Sequence, residues 1–287
     1  MRQLARDIVD RVANKGECDF VSEVAAELPL LVICELMGVP ASDRRRIFDL
    51  SNRLIGFDDP EFQTSPADGE AAALEMWTYA HALGQARRAT PRDDLVSDLV
   101  TGAVNGHQLS ELEFNNFFLL LAVAGNETTR NAISGGLLAL MEHRGQWERL
   151  LSDRALLDGA VEEIVRWVTP VIHFRRTATR ATRVAGVEIG AGQKLVVWYP
   201  SANRDGSVFQ RPDVFDVGRD PNPHLGFGIG EHFCLGSHLA KLEMRCLLEE
   251  LLGRLPDIEL AGAPRRLRSN FIHGIKRMPV RFSAPRS

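Results

Sequence analysis

The pattern of apolar and polar positions changes about two thirds of the way along the 287-residue chain. In the first part, apolar residues recur at the three- and four-residue spacing of amphipathic helices. This spacing predicts helices over 4–13, 20–37, 42–50, 69–89, 95–101, 110–143 and 152–167. After Pro170 the spacing changes to short β-rich stretches separated by glycines, which is typical of a small sheet.

The longest predicted helix begins after Ser110, with Glu113 three residues later at the spacing of a capping box. Its apolar residues continue with helical period to about His143, so at about 1.5 Å per residue it would traverse the molecule. Its centre, from Ala124 to Thr129, is poor helix material. We expect the backbone to open at Gly125, in the middle of an otherwise regular helix.

The C-terminal third combines several short elements. They are a small sheet over 176–187 and 192–199, an ordered loop over 211–230, a helix over 235–252, and strands over 271–275 and 280–282. Internal repeats and low-complexity tracts are absent from the sequence. The predicted fold class is therefore mainly α with a small β region, in a single domain over 1–287.

Composition and charge exclude several functions. Hydrophobic residues make up 45% and charged residues 25% of the chain, which is ordinary globular composition. A net charge of −4 gives no basic field for nucleic acid. No apolar run reaches the roughly 20 residues of a membrane span, and no secretory signal opens the chain. We therefore expect a soluble cytoplasmic protein without membrane spans or nucleic-acid partners.

The segment from Phe227 to Gly236 carries the most informative chemistry. A glycine-rich turn delivers Cys234 to the start of a helix, where unpaired N–H groups and the helix dipole favour a thiolate. Gly236 and Ala240 are small and leave room for a flat group. Taken alone, one cysteine in an apolar loop is more often a buried structural residue. The glycine spacing fits neither a dinucleotide loop nor a phosphate loop.

The full pattern F-G-x-G-x-H-x-C-x-G, followed by Leu239-Ala240, resembles the haem-binding loop of the cytochrome P450 monooxygenases. The resemblance implies the fold of that family and makes Cys234 the axial thiolate ligand of haem b iron, to which it donates electron density. It assigns His232 to a haem propionate. The other loop residues that the resemblance assigns to the cofactor are Phe227, Gly228, Gly236 and Ala240.

Glu163 and Arg166 lie three residues apart on a predicted helix. Alone, such a pair is usually an exposed ion pair worth about 0–1 kcal/mol. The resemblance implies instead the family's buried Glu-Arg pair, which holds the loop that precedes the cysteine. The element that often carries a third partner has Val214 where an arginine is common, and Arg219 is a candidate for that partner.

The centre of the long helix resembles the family's oxygen-activation motif, in which Ala124 and Gly125 border the oxygen site. Thr128 can compete for a backbone hydrogen bond of the helix. The resemblance implies that Glu127 and Thr128 relay protons through water as general acid–base groups. The alternative is a polar kink in a core helix.

The resemblance also assigns the second haem propionate and the substrate walls. Arg176 matches the family's propionate-binding arginine, although Arg175 beside it could take that role. The expected substrate walls are apolar and include Val123, Val171, Ile172, Phe271 and Ile272.

The resemblance covers the family fold only from about its fourth helix onward, because the N-terminal sheet and the first helices have no counterpart. It is greatest to actinobacterial methyl-branched-lipid ω-hydroxylases and sterol side-chain hydroxylases. It implies hydroxylation of an apolar substrate (lipid, fatty acid, sterol or terpenoid) with dioxygen and electrons from a ferredoxin and a ferredoxin reductase. The candidate contacts for the ferredoxin are Arg211, Lys241 and Arg245. The alternatives are a peroxide-driven peroxygenase and a truncated, non-catalytic haem-binding fragment.

Overall fold

Helices dominate the computed structural model, which describes residues 1–62, 65–103 and 105–284. They are α1 (Arg2–Ala13), α2 (Glu27–Leu36), α3 (Arg44–Ile55), α4 (Pro66–Ala89), α5 (Leu95–Thr101), α6 (Glu111–Glu142), α7 (Arg144–Ser152), α8 (Leu157–Val168), α9 (Tyr199–Ala202) and α10 (Ser237–Arg254). In the part of the chain that the structure describes, no helix is both long and apolar enough to cross a membrane.

The strands are short and pair antiparallel. They are β1 (Glu17–Asp19), β2 (His173–Thr177), β3 (Thr182–Val184), β4 (Val187–Ile189), β5 (Lys194–Trp198), β6 (Glu259–Leu260), β7 (Arg265–Arg266), β8 (Ile275–Arg277) and β9 (Pro279–Arg281). Their sheets have the orders β1-β9-β6, β2-β5, β3-β4 and β7-β8. The strand predicted over 271–275 is wrong, since Ile272 forms only an isolated bridge with Val171. The predicted fold class, mainly α with a small β region, is confirmed.

Helix α6 connects two hydrophobic clusters. It begins with the predicted capping box, in which the Ser110 N–H donates to Glu113 Oε2 at 2.8 Å. Its first half packs Phe114 and Phe118 against residues from α2 to α5. Its second half packs Leu137 and its neighbours against α1, α7, α8 and α10. The segment 124–129, which carries the resemblance to the oxygen-activation motif, therefore lies between two cores.

Helix α8 buries one face against α6. The apolar residues of that face recur with helical period and are Leu157, Ala160, Val161, Ile164, Val165 and Val168. The approach is close, because a Cβ added to Gly136 of α6 would lie 2.6 Å from Ile164 Cγ2. The helix ends at Thr169, whose φ of 46° is left-handed, just before Pro170. The tight packing fixes the position of Glu163 and Arg166.

Candidate cofactor and substrate site

The loop from Phe227 to Gly236 presents a single thiol at the surface. Gly228 and Gly230 both have φ of 72°, a region that side chains other than glycine rarely adopt. The turn closes when the Cys234 N–H donates to Phe227 O at 2.9 Å. All four cysteines are free, and the other three are buried whereas Cys234 is exposed. The fold therefore distinguishes Cys234 from the structural cysteines.

The ionisation of Cys234 reflects two opposing effects. Partial burial raises the pKa of the thiol, and a hydrogen bond from the Gly236 N–H lowers it. The net shift is upward, because burial outweighs the hydrogen bond from Gly236. Gly236 is the N-cap of α10, and its N–H favours the thiolate in the direction that the sequence predicts. A bound metal ion would supply the missing positive charge, because coordination deprotonates a thiol.

The surface beside Cys234 fits a flat, apolar cofactor such as haem. Ile229, Phe233 and Leu235 are 76%, 51% and 83% exposed. Among the described residues, no heavy atom other than its own chain neighbours lies within 4 Å of a Cβ built on Gly236. Apolar side chains clustered in the open beside a nucleophilic sulfur indicate a surface that a ligand covers. The donor set also fits, since one thiolate is the protein ligand that haem iron takes.

Two further predicted cofactor residues pack around this loop. The Phe227 ring lies 6.4 Å from the Phe233 ring and 5.9 Å from His224, centroid to centroid. Lys241 Nζ lies 5.2 Å from the Phe227 centroid. Ala240 is half-buried on the first turn of α10. Phe227 is thus held firmly on the side of the loop that faces the protein.

The two side chains that are predicted to bind the haem propionates, Arg176 and His232, are both basic. Arg176 and His232 are exposed, and neither has an ion-pair partner within residues 1–62, 65–103 and 105–284. The Arg176 guanidinium lies 6.0 Å from the Phe174 ring, which places both side chains on one face of β2. Because side chains alternate along a strand, Arg175 projects from the opposite face. Phe174 in turn contacts Phe271 at 5.7 Å, so Arg176 shares its face with the predicted substrate wall.

The central segment of α6 stays helical throughout. The prediction that the backbone opens at Gly125 is therefore wrong, since the α-helical ladder continues across it. The Thr128 hydroxyl nevertheless donates to Ala124 O at 2.8 Å, within the uninterrupted helix. Ala124 and Leu120 are exposed and Thr128 is half-buried, so these side chains form an open stripe at helical spacing. Gly125 has no room for a side chain, because an added Cβ would lie 3.0 Å from Ile33.

Glu127 points away from this open stripe and is fully buried. Its Oε2 accepts a hydrogen bond from the Arg130 guanidinium, which is itself buried. Burial raises the pKa of Glu127, and the charge of Arg130 opposes that rise. Arg130 also donates through Nη1 to Asn52 Oδ1 at 2.9 Å. Sequence reasoning missed both partners, although the three-residue spacing of Glu127 and Arg130 is visible in the chain.

The predicted pair of Glu163 and Arg166 is buried and fully engaged. The guanidinium donates to both carboxylate oxygens, at 2.7 and 2.8 Å, and both side chains are 0% exposed. Arg166 Nη1 also donates to Asn203 O at 2.8 Å and to Pro212 O at 2.9 Å. The third partner is Arg219, whose Nε donates to Glu163 Oε2 at 3.1 Å. The pair therefore ties α8 to the long loop that leads to Cys234.

Sequence reasoning missed two amides in this network. Asn222 Nδ2 donates to Glu163 Oε2 at 3.1 Å. Asn203 is fully buried, and its Oδ1 accepts from the Leu225 N–H at 2.7 Å. The Asn-Arg-Asp sequence at 203–205 is the feature of the chain that could have indicated the role of Asn203 in this network. These bonds fix the path of the loop two residues before Phe227.

Four of the five predicted substrate-wall residues meet in one apolar cluster. Val123, Val171, Phe271 and Ile272 pack together with three residues that sequence reasoning missed, namely Ile55, Phe62 and Leu267. Ile172 lies alongside, and its N–H donates to Phe271 O at 2.8 Å. Val123 immediately precedes Ala124, so the cluster adjoins the open stripe of α6. An apolar substrate could lie between them.

Comparison with known proteins gives consistent matches. A family model described as Cytochrome P450 matches residues 80–256. A steroid C26-monooxygenase of Rhodococcus jostii is 46% identical over 283 residues, which cover 98% of this chain and 59% of the relative. A methyl-branched lipid omega-hydroxylase of Mycobacterium tuberculosis is 48% identical over 282 residues, or 97% of this chain and 66% of the relative.

A solved structure shows the same similarity in three dimensions. A Mycobacterium marinum cytochrome P450 in complex with pseudoionone matches with a TM-score of 0.94 and 41% identity, over 98% of this chain and 69% of that chain. The present chain spans 59% and 66% of the lengths of the two curated relatives above.

Proposed function

This chain belongs to the cytochrome P450 family, whose cofactor is haem b bound through a cysteine thiolate, and on that premise we propose that it carries the haem-binding part of a monooxygenase. The proposed reaction converts an apolar C–H bond to a hydroxyl group with dioxygen, two electrons and two protons, and it releases one water molecule. The observation that carries the proposal is the exposed Cys234 thiol in an open apolar loop, in a chain whose other cysteines are buried.

The loop residues hold the cofactor in this proposal. When bound, haem supplies the iron centre at which dioxygen is reduced so that one oxygen atom enters the substrate. Cys234 binds the iron as a thiolate, and the Gly236 N–H stabilises the charge on its sulfur. Arg176 and His232 bind the propionates through charge-assisted hydrogen bonds. The remaining contacts come from Phe227, Gly228, Gly236 and Ala240.

The open stripe of α6 forms the opposite wall of the site. Ala124 leaves space on the open stripe because its side chain is small, and Gly125 beside it lets Ile33 pack closely against the helix. The Thr128 hydroxyl donates to the Ala124 carbonyl, and the side chain is half-buried. In this proposal the hydroxyl passes a proton through water. Glu127, the residue immediately before Thr128, is the acid that supplies this proton through water. The residues with these roles, 124 to 128, are consecutive in α6 and span little more than one helical turn.

The substrate is proposed to be a lipid, a sterol or a similarly apolar molecule. The apolar cluster of Val123, Val171, Phe271 and Ile272, with Ile172 alongside, supports this class, because it offers an apolar wall beside the open stripe. The curated relatives are a steroid C26-monooxygenase and a methyl-branched lipid omega-hydroxylase, which belong to the same substrate class. A shift of the haem spectrum on titration with a sterol or a branched fatty acid would test the proposal.

The electrons are proposed to come from a ferredoxin and its reductase. Among the candidate contacts, Lys241 pairs with Glu162 at 2.6 Å and Arg245 with Asp158 at 2.5 Å. Arg211 is 70% exposed, with its acidic partner 3.6 Å away, and is the most available of the three. Arg211→Glu should therefore slow reduction by ferredoxin without changing the haem spectrum. An unchanged rate would remove Arg211 from the docking surface.

The carbon monoxide difference spectrum of the dithionite-reduced chain, expressed with haem supply, tests the proposed function. We expect the red-shifted Soret band of a thiolate-ligated complex, and its loss in Cys234→Ala. Cys18→Ala serves as the matched control, because Cys18 is buried and should leave the band in place. A parent chain without this band would favour the alternative of a non-catalytic fragment.

Thr128→Ala separates a monooxygenase from a peroxygenase. A monooxygenase should release more hydrogen peroxide per electron pair, because the hydroxyl that passes protons is missing. A peroxygenase supplied with hydrogen peroxide should be nearly indifferent. Thr78→Ala is the matched control, since the Thr78 hydroxyl makes the same bond to Leu74 O, at 2.8 Å, at an exposed position of helix α4.

A further inference from the structure

Glu127 belongs to a buried chain of polar groups that leads away from Thr128. Arg130 lies one turn further along α6 and donates to Glu127 Oε2. The same guanidinium reaches Asn52 of α3, which lies 78 residues away in sequence. Arg130 is 4% exposed and Glu127 is 0% exposed. The carboxylate is therefore held by a cation that α3 in turn keeps in place.

A cavity of about 490 Å³ begins at this guanidinium. The cavity is lined by Phe48 and Asn52 of α3, Arg130 of α6, Lys276 of β8 and Phe62. Arg45 also lines it, and the Arg45 side chain is 79% exposed, so the cavity reaches the surface. A space of this size with charged walls holds water.

Several buried polar atoms along this stretch of α6 lack protein partners. Glu127 Oε1, Arg130 Nε, Asn131 Nδ2 and both amide atoms of Asn126 make no hydrogen bond to any described residue. Each such atom would cost about 1–3 kcal/mol if it stayed dry. Buried groups of this kind are normally satisfied by ordered water. The unpaired atoms therefore indicate ordered water along this stretch of α6, where Arg130 both lines the cavity and contacts Glu127.

We propose that this charged cavity is the proton entry of the site, and that Arg130 and Asn52 are positioning residues that hold Glu127 between it and the open stripe of α6. The inference rests on the proposed function. A proton from bulk solvent passes along the water in the cavity, which is left unchanged, to Glu127 Oε1 and forms the neutral acid. The acid then gives its proton, through water, toward the Thr128 hydroxyl and returns to the carboxylate. Arg130 stabilises the charged form and so resets the group for the next proton.

The charges around Glu127 support this assignment. Burial favours the neutral acid, and Arg130 is the group that lowers the pKa of Glu127. Other charged groups on the surrounding elements are Arg45, Asp49 and Arg53 of α3, Glu61 after it, Lys276 and Arg277 of β8, and Glu243 of α10. Burial stabilises the neutral acid and Arg130 stabilises the carboxylate, so each protonation state of Glu127 has a group or an environment that favours it.

The first test measures the ionisation of Glu127 and does not require haem. The carboxylic acid band of ¹³C-glutamate-labelled chain is followed by infrared spectroscopy as the pH is changed, with Glu127→Gln used to assign the band. In Arg130→Gln the midpoint should rise by about one pH unit or more, because the opposing cation is gone. Asn52→Ala should raise it less. Arg46→Gln, an exposed arginine of the same helix α3, should leave it unchanged.

The second test uses the same variants loaded with haem. Hydrogen peroxide release per electron pair should rise several-fold in Arg130→Gln, with the thiolate carbon monoxide band unchanged. An unchanged midpoint overturns the proposal, as does a raised midpoint with unchanged peroxide release. A purely structural role for Arg130 would lower the unfolding temperature without moving the midpoint. If the parent chain lacks the thiolate band, the proposed function fails, and the infrared midpoint still decides the role of Arg130.

Discussion

Arg219 Nε donates a hydrogen bond of 3.1 Å to Glu163 Oε2, across 56 residues of sequence. The carboxylate is completely buried, and the Arg219 side chain is 8% exposed. The same guanidinium donates to Val214 O at 2.7 Å and to Gln210 O at 2.7 Å. Arg219 thus connects α8 to Gln210 and Val214, which lie earlier in the same long loop that leads to Cys234.

Arg219→Met should lower the free energy of unfolding by about 1.5–3 kcal/mol, because a buried carboxylate loses one charge-assisted hydrogen bond. Arg166→Met should cost more, about 3–5 kcal/mol, since it removes the main partner of that carboxylate. Urea unfolding measures both losses. Arg211→Met is the control and should change little, because its ion pair is exposed. Equal losses for Arg219→Met and Arg211→Met would contradict the third-partner role.

Arg176→Gln should weaken haem binding about ten- to hundredfold, because it removes a charge-assisted hydrogen bond worth about 1.5–3 kcal/mol. Arg175→Gln should have little effect, since the two side chains project from opposite faces of β2. Titration of the chain with haem, followed at the Soret band, compares the two variants. A loss confined to Arg175→Gln would transfer the propionate role to Arg175.

Glu243→Gln should make the chain more stable at neutral pH. Glu243 is buried in α10, and burial raises its pKa from 4.5 to about 8. Since the folded-state pKa is the higher one, the stability associated with the protonated group is complete below about pH 4.5. It is lost as the pH rises toward 8, because the unfolded chain ionises first.

Glutamine keeps the shape of the neutral acid and removes this loss. The variant should therefore exceed the parent by up to about 3 kcal/mol at pH 7, and the difference should shrink toward pH 5. Unfolding curves at pH 5, 7 and 8.5 measure the trend. Glu231→Gln, at an exposed position, should show no such dependence. A stability difference that does not vary with pH would argue against a buried neutral Glu243.

Gly136→Ala should destabilise the chain although alanine is the better helix former. The added Cβ would meet Ile164 Cγ2 at 2.6 Å, and overpacking of this kind costs about 1–3 kcal/mol. Gly145 of α7 has open space at its Cβ position among the described residues. Gly145→Ala should therefore gain about 0.5–1 kcal/mol. Thermal unfolding compares the two, and equal effects would show that α6 and α8 can separate without cost.

Local sequence patterns account for most of the helical framework. The spacing of apolar residues indicated α1 to α6, α8 and α10 but not α7, because a helix that buries one face must repeat its apolar positions with the helical period. The capping box at Ser110 and Glu113 marked the start of α6, since its bonds span only three residues. The residue pattern around Cys234 likewise identified the family, because loop glycines and the cysteine are adjacent in the chain.

The tertiary structure decided what depends on the approach of distant segments. The bond between Arg130 and Asn52 needs α3 to cross α6, and nothing near either residue encodes that crossing. The sequence also left open whether Arg175 or Arg176 faces the apolar cluster, a choice set by how β2 lies against Phe271. The sequence predicted the effect of the N–H groups near Cys234 but not the net direction of its pKa shift, because desolvation depends on every atom around the sulfur. Periodicity and short motifs are local properties of the chain, whereas burial and long-range hydrogen bonds arise only once the chain has folded.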